Sequence, residues 1–296
     1  MENSTLTIAV DLVEILAKRL DHSARDFLTN SLKEIQNGSS GERRTQILSL
    51  ASRHARSHLM LSPDSAEKRR LNEITGCNFE RWTLLEALRV ALLLTSPDIG
   101  DEAFDTVFEH GFRFADHGES CALYRALPLL PRGERFVARA REGCRSNMRT
   151  IFEAVACDSP YPARHFDDVS WHQLAIKAVF VGAPLWRVHG LDNRLSPELA
   201  RMALDFADER RSAGRAVPPQ LWLCLGPHGG ERGLQALQQA LNEADEAAQR
   251  GALLGLARAG ALSRGSDWQR AACDRHAGFI EHARAEGFAQ QTLQLQ

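Results

Sequence analysis

The chain has little of what a β-fold needs. Of its 296 residues only two are tyrosine, and aromatics make up 7%. β-Branched side chains are scarce, whereas Ala, Leu, Arg and Glu abound, a balance that favours helix. Long apolar runs are missing as well. No segment approaches the ~20 apolar residues needed to cross a bilayer. The greasiest, residues 85–94, is interrupted by Glu86 and Arg89. The N-terminus is acidic where a secretory signal needs basic residues. There is no excess charge of one sign: the formal net charge is −2, which gives no electrostatic footprint for nucleic acid. Cys77, Cys121, Cys144, Cys157, Cys224 and Cys273 form no C-x-x-C pair, so zinc-knuckle and thioredoxin-type motifs are excluded. Most lie in apolar runs, where a free thiol behaves as a small hydrophobe in a reducing compartment. The expectation is a cytoplasmic protein with no cofactor and no metal. At 44% hydrophobic and 25% charged the composition is ordinary for a globular chain. A chain this long buries about 75% of its unfolded surface without staples.

What is present is helical periodicity. Residues 4–20 place Leu6, Val10, Val13 and Leu16 near helical spacing. Asp21 or Ser23 is positioned to cap a second helix ending near Asn37-Gly38. A third helix is predicted over residues 42–59, with Arg43, Arg44, Arg53 and Arg56 on a solvated face. Its His54 and His58 are four apart, but the sequence H-A-R-S-H lacks the glutamate of a metal helix and places arginine beside the imidazoles. The run R-W-T-L-L-E-A-L-R-V-A-L-L-L-T is apolar nearly all round and predicts a central helix. Short helix patterns follow, each broken by Gly, Pro or Asp. The pair G-L-Q-A-L-Q-Q-A-L and E-A-A-Q-R-G-A-L-L-G-L-A-R-A-G has a HEAT-like composition. Such units bury their apolar faces only by stacking. The fold class expected is all-α, an irregular α-solenoid or HEAT-like array of short antiparallel helix pairs. Residues 1–75 read as an N-terminal helical segment, 76–285 as the array, and 286–296 as a mobile tail.

Residues 144–228 are the most crowded with chemistry. Asn147, Arg149 and Glu153 open one helix, and the turn D-S-P-Y-P carries Tyr161 and leads to His165. Asp168 or Ser170 is placed to cap the helix bearing Trp171 and Lys177. Asp192 and Arg194 stand in the turn before Ser196-Pro197, a strong helix start. Asp205 and Glu209 are four apart on the next helix, and Arg215 follows its Gly214 stop. Many of these groups are suited to capping helix ends and pairing between helices. Aromatic and imidazole groups beside Pro-fixed turns also suit binding. A metal would have to use His165 with Asp205, Glu209 or Glu153, which is no known ligand spacing. No nucleophile elbow, phosphate loop or dinucleotide fingerprint is present.

The words Y-R-A-L-P-L-L-P, N-M-R-T-I-F-E-A-V-A-C, S-P-Y-P-A-R-H-F, W-H-Q-L-A-I-K-A-V-F-V-G-A-P-L and G-L-D-N-R-L-S-P-E-L-A-R-M-A-L-D-F-A-D-E-R-R-S-A-G-R occur here in that order, with L-W-L-C-L-G-P after them. Over residues 119–228 they resemble the EboA family of the ebo operon. The resemblance implies a part in the traffic of a secondary metabolite towards the periplasm. It implies as partners a small metabolite or the other operon proteins, which resemble a UbiA-type prenyltransferase, a TatD-like hydrolase and sugar isomerases. It carries over no catalytic residues. On physical grounds the ligand-binding candidates are Asn147, Arg149, Glu153, Tyr161, His165 and Trp171, with Lys177, Asp192, Arg194, Asp205, Glu209 and Arg215. They are expected to converge on one charged pocket for a small polar or anionic metabolite. The alternative is an enzyme of the same pathway that uses Glu153, His165 and Glu209 for acid–base chemistry.

Overall fold

The computed structural model describes residues 2–262, 266–288 and 292–293. The chain divides into two compact units, Met1–Phe166 and Asp167–Gln296. In the first unit the α-helices are α1 (Glu2–Arg19), α2 (His22–Gln36), α3 (Gly41–Leu50), α4 (Ser65–Thr75) and α5 (Leu84–Leu94), then α6 (Glu102–Phe114), α7 (His117–Ala126), α8 (Val137–Arg145), α9 (Arg149–Ala156) and α10 (Tyr161–His165). In the second they are α11 (Asp168–Val181), α12 (Pro197–Ser212), α13 (Gly230–Leu241), α14 (Glu246–Arg258), α15 (Asp267–Arg275) and α16 (Ala277–Ala285). Among the described residues there is no strand, only an isolated antiparallel bridge between Met60 and Thr83. The all-α expectation is therefore met.

Local chemistry sets most helix ends. Asp21 caps α2 by accepting from the Ala24 amide at 2.9 Å. Asp64 and Glu67 form a capping box on α4, and Gly76 closes that helix in the left-handed region. Ser196 caps α12 with Pro197 in its first turn. Asp167, not Asp168 or Ser170, caps α11, accepting from the Ser170 amide at 2.8 Å. Each satisfies amide groups that a helix start leaves without partners.

The first unit is organised around α5, all of which is buried except Glu86 and Leu93. Helix α1 packs on α5, α5 on α7, and α7 on α9. Two expectations fail in this unit. The helix predicted over residues 42–59 ends at Leu50 and gives way to a 3₁₀ turn, Ala51–Arg53. His54 and His58 therefore share no helix face, and His54 instead stacks on Phe27. Arg44 is not solvated: its side chain is 10% exposed and pairs with Asp98, one arm at 2.8 Å. In the second unit α13 packs on α14, and α14 on the 3₁₀ segment Pro219–Cys224. Much of the tail expected to be mobile lies outside the described residues.

Candidate functional site

Helices α5 and α7 are tied by two crossed ion pairs. Thr83 and Glu86 form a capping box at the start of α5. One carboxylate oxygen of Glu86 accepts from the Thr83 amide at 2.8 Å, and the other accepts from Arg125 Nε of α7 at 2.8 Å. Asp116 and Glu119 form the same box at the start of α7. Here one oxygen of Glu119 accepts from the Asp116 amide at 3.0 Å, and the other faces Arg89 Nη2 of α5 at 3.4 Å. Each helix thus lends its capping glutamate to an arginine of the other. The arrangement satisfies helix ends and buried charge together.

Arg89 is 3% exposed. Its Nε donates to the Leu48 carbonyl in the last turn of α3 at 3.0 Å. Its Nη1 has no hydrogen-bond partner among the described residues and points past Gly118, where a Cβ would stand 3.3 Å away. Burial disfavours the charged form and pulls the guanidinium pKa below its ordinary value, against the opposing pull of Glu119.

One open recess of the first unit lies on the Nη1 side. It has about 690 Å³ of empty space, open solvent included, and Arg81, Glu86, Arg89, Arg125, His117, Cys121 and Glu153 supply its ionisable lining. Three arginines thus face two glutamates. The side chains come from regular spacings: His117, Cys121 and Arg125 repeat every four residues on α7, and Thr150 and Glu153 are three apart on α9. The Thr150 hydroxyl and His117 Nε2 are 2.8 Å apart. Burial pushes the Cys121 thiol up to about 11, with Glu86 adding to the shift, so it holds no thiolate at neutral pH. Arg125 is occupied by Glu86 and lies over Trp82, 5.6 Å from the ring centre. Arg81 is exposed and forms no ion pair among the described residues. Its charge is felt at Glu80, which Lys68 already holds at 2.6 Å.

Of the residues nominated from sequence, Glu153 lines this recess and accepts from Arg149 Nε at 2.6 Å. Asn147 and Arg149 are exposed at the start of α9. Tyr161 and His165 stand elsewhere in the first unit. The Tyr161 hydroxyl donates to the Gly133 carbonyl at 2.5 Å, and a Cβ on Gly133 would fall 2.9 Å from His165 Nε2. Burial lowers the His165 pKa, partly offset by Glu134. A methyl group added at Gly133 would have to push one of these two rings aside.

In the second unit Trp171 is fully buried beneath Arg194, whose Nη2 meets Asp168 at 2.6 Å. Lys177 lies over the Phe180 ring at 4.8 Å. Asp192 pairs with Arg258. Asp205 takes Arg201 at 2.6 Å and Arg232 at 2.8 Å on an exposed face. Glu209 and Arg215 are exposed. Arg81, Glu86, Arg89, His117 and Arg125 were missed from sequence. The available signal was the pair of charges inside the apolar run 85–94. No group of three or more His, Cys, Asp or Glu that could hold a metal occurs among the described residues.

Fold and site together define an all-α protein with an open, arginine-lined recess in its first unit. Residues 8–226 match the family model described as metabolite traffic protein EboA, and the chain belongs to that family. The match takes in α5, α7 and α9 and so the whole recess, where the sequence words began only at residue 119. No curated protein and no solved structure matches the chain.

Proposed function

We propose that the chain serves metabolite traffic by binding a small anionic metabolite in the recess of the first unit. The observation that carries this reading is unspent cationic capacity. Arg81 and the Nη1 edge of Arg89 have no carboxylate partner, although Glu86, Glu119 and Glu153 are each engaged by another arginine or a helix end. A planar guanidinium presents parallel donors to a carboxylate or phosphate. His117 and Thr150 add polar contacts for the uncharged part of the ligand. Acid–base turnover has less support, because Glu153 is held by Arg149 and His165 is wedged against the Gly133 loop. We read the α13–α14 pair and its neighbours as HEAT-like stacking, with the other ebo-operon proteins as receivers of the ligand.

The test uses the full chain and orthophosphate or butanoate in calorimetric titration. Arg81→Ala removes one charge-assisted bond of about 1.5–3 kcal/mol. It should weaken binding about tenfold or more while leaving the thermal midpoint unchanged, since Arg81 is exposed and forms no ion pair among the described residues. Equal affinities for wild type, Arg81→Ala and His117→Ala would refute the site.

A further inference from the structure

The arginines of the recess set the end that a ligand presents, and the rest of the lining sets what its body carries. About 250 Å³ of the recess is open to the centre of a water molecule. That is just under the range of about 300–1,000 Å³ usual for drug-sized ligands, so the recess suits a small metabolite.

The described lining contains three hydroxyls, those of Ser57, Thr83 and Thr150, and no phenylalanine, tyrosine or tryptophan. Trp82 lies beneath Arg125 and is 2% exposed. A flat ring such as a nucleobase therefore finds no aromatic face to stack on. Leu85 is the one aliphatic side chain among the described lining residues, and it is itself buried. The remaining carbon surface belongs mostly to the stems of arginine, glutamate and threonine, set between their polar heads. An alkyl body would cover those heads without giving them partners.

Glu86 and Glu153 impose the other requirement, because a carboxylate only accepts hydrogen bonds. Glu86 accepts from the Thr83 amide and from Arg125 Nε, each at 2.8 Å. Glu153 accepts from Arg149 Nε at 2.6 Å. Arginine already balances each charge, so neither carboxylate calls for a ligand cation, and a neutral donor suits their oxygens. The Thr150 hydroxyl and His117 Nε2, 2.8 Å apart, can each give or take a bond. The group that donates to a carboxylate and also exchanges bonds with a hydroxyl and an imidazole, without bringing charge, is a hydroxyl.

We infer that the metabolite is a small polyhydroxylated anion, a sugar phosphate or sugar acid, with its charged end on Arg81 and Arg89 and its hydroxyls towards Thr150, His117 and Glu153. This rests on the reading of the recess as an anion site and adds the class of ligand.

The experiment titrates the full chain calorimetrically with ribose 5-phosphate, glucose 6-phosphate and gluconate. Orthophosphate is the head-only probe. Hexyl phosphate and hexanoate carry a body without hydroxyls, glucose a body without charge, and O-phosphoserine a body with an ammonium group. Each neutral hydroxyl bond is worth about two- to tenfold. At least one hydroxylated anion should therefore bind about tenfold or more tighter than the alkyl probe with the same head, and the better series names the head. Thr150→Val, on the exposed start of α9, should cut that preference about two- to tenfold, and Thr150→Ser, which keeps the hydroxyl, should retain it. Alkyl probes that bind as tightly as every hydroxylated one would overturn the polyol and leave the anion site standing. O-phosphoserine as the tightest ligand would overturn the argument from balanced carboxylates. Glucose that binds as tightly as its phosphate would overturn the role of the arginines. Absence of binding by every probe would sink both readings.

Discussion

Replacing Arg89 by methionine tests whether the crossed pairs hold the first unit together. Methionine keeps the aliphatic volume but removes the donors to Leu48 and Glu119. Glu119, 14% exposed, would keep only the Asp116 amide on its other oxygen. Breaking a buried pair by removing one partner costs about 3–5 kcal/mol. The 3.4 Å separation and the partial exposure of Glu119 argue for a loss at or just below the bottom of that range, about 2–3 kcal/mol. Glu119→Gln removes the stranded charge and keeps the capping acceptor. The double variant should therefore be about 1 kcal/mol more stable than the sum of the single losses, since groups in contact couple. Hydrogen exchange read on peptides covering residues 84–94 gives the local opening free energy of α5 without assuming that both units unfold together. A single-variant loss under about 0.5 kcal/mol, or strict additivity of the two changes, would refute the argument that the pair is a buried structural link.

Two further predictions concern sites away from the recess. Glu67 lies under Arg19 at 2.5 Å and Lys18 at 3.0 Å. Burial alone would raise its pKa, but Arg19, the Asp64 amide and Lys18 outweigh it and bring the carboxyl from 4.5 down to about 2. A folded-state pKa below the unfolded one stabilises above the unfolded value, and the gain is lost as pH falls through the folded one. Urea unfolding should show Glu67→Gln less stable than wild type at pH 7, with the gap closing between about pH 4.5 and 2; a gap that widens on acidification would contradict the sign. At Gly251 of α14 an added Cβ would stand 2.6 Å from the Pro219 carbonyl oxygen and 2.8 Å from its Cα, so Gly251→Ala should cost about 1–3 kcal/mol by overpacking. Gly278→Ala, with nothing within 4 Å, should be neutral or gain up to about 1 kcal/mol from helix propensity; thermal melts in which both changes have the same sign would refute the packing argument.

Helix content was legible because its signals are local. Asp21 and Ser196 each announce a start within three residues. The all-round apolarity of α5 likewise announced a central helix. The end of α3 was not legible, because a distant residue helps to set it. Leu48 offers its carbonyl to Arg89, 41 positions away, and a side chain that satisfies a last-turn carbonyl lets the helix stop where periodicity would continue it. Arg44 was misread for the same reason: its partner Asp98 is 54 positions off.

Density of charge along the sequence does not by itself bring charges together in the fold. Residues 144–228 are crowded with ionisable groups, yet Arg149–Glu153, Arg201–Glu198 and Arg201–Asp205 are three or four residues apart. Those pairs are what helix surfaces produce at little gain, about 0.2–0.5 kcal/mol each. Glu86 and Arg89 sit instead in a run where every other position is apolar, and burying a charge there requires a dedicated partner. Their partners, Arg125 and Glu119, lie 39 and 30 positions away, and no spacing rule connects them. On the proposed reading, Arg89 keeps one edge without a carboxylate, whereas the exposed ion pairs have both partners engaged. The two charges that interrupt the greasiest helix both line the proposed recess, to which the crowded stretch contributes Thr150 and Glu153.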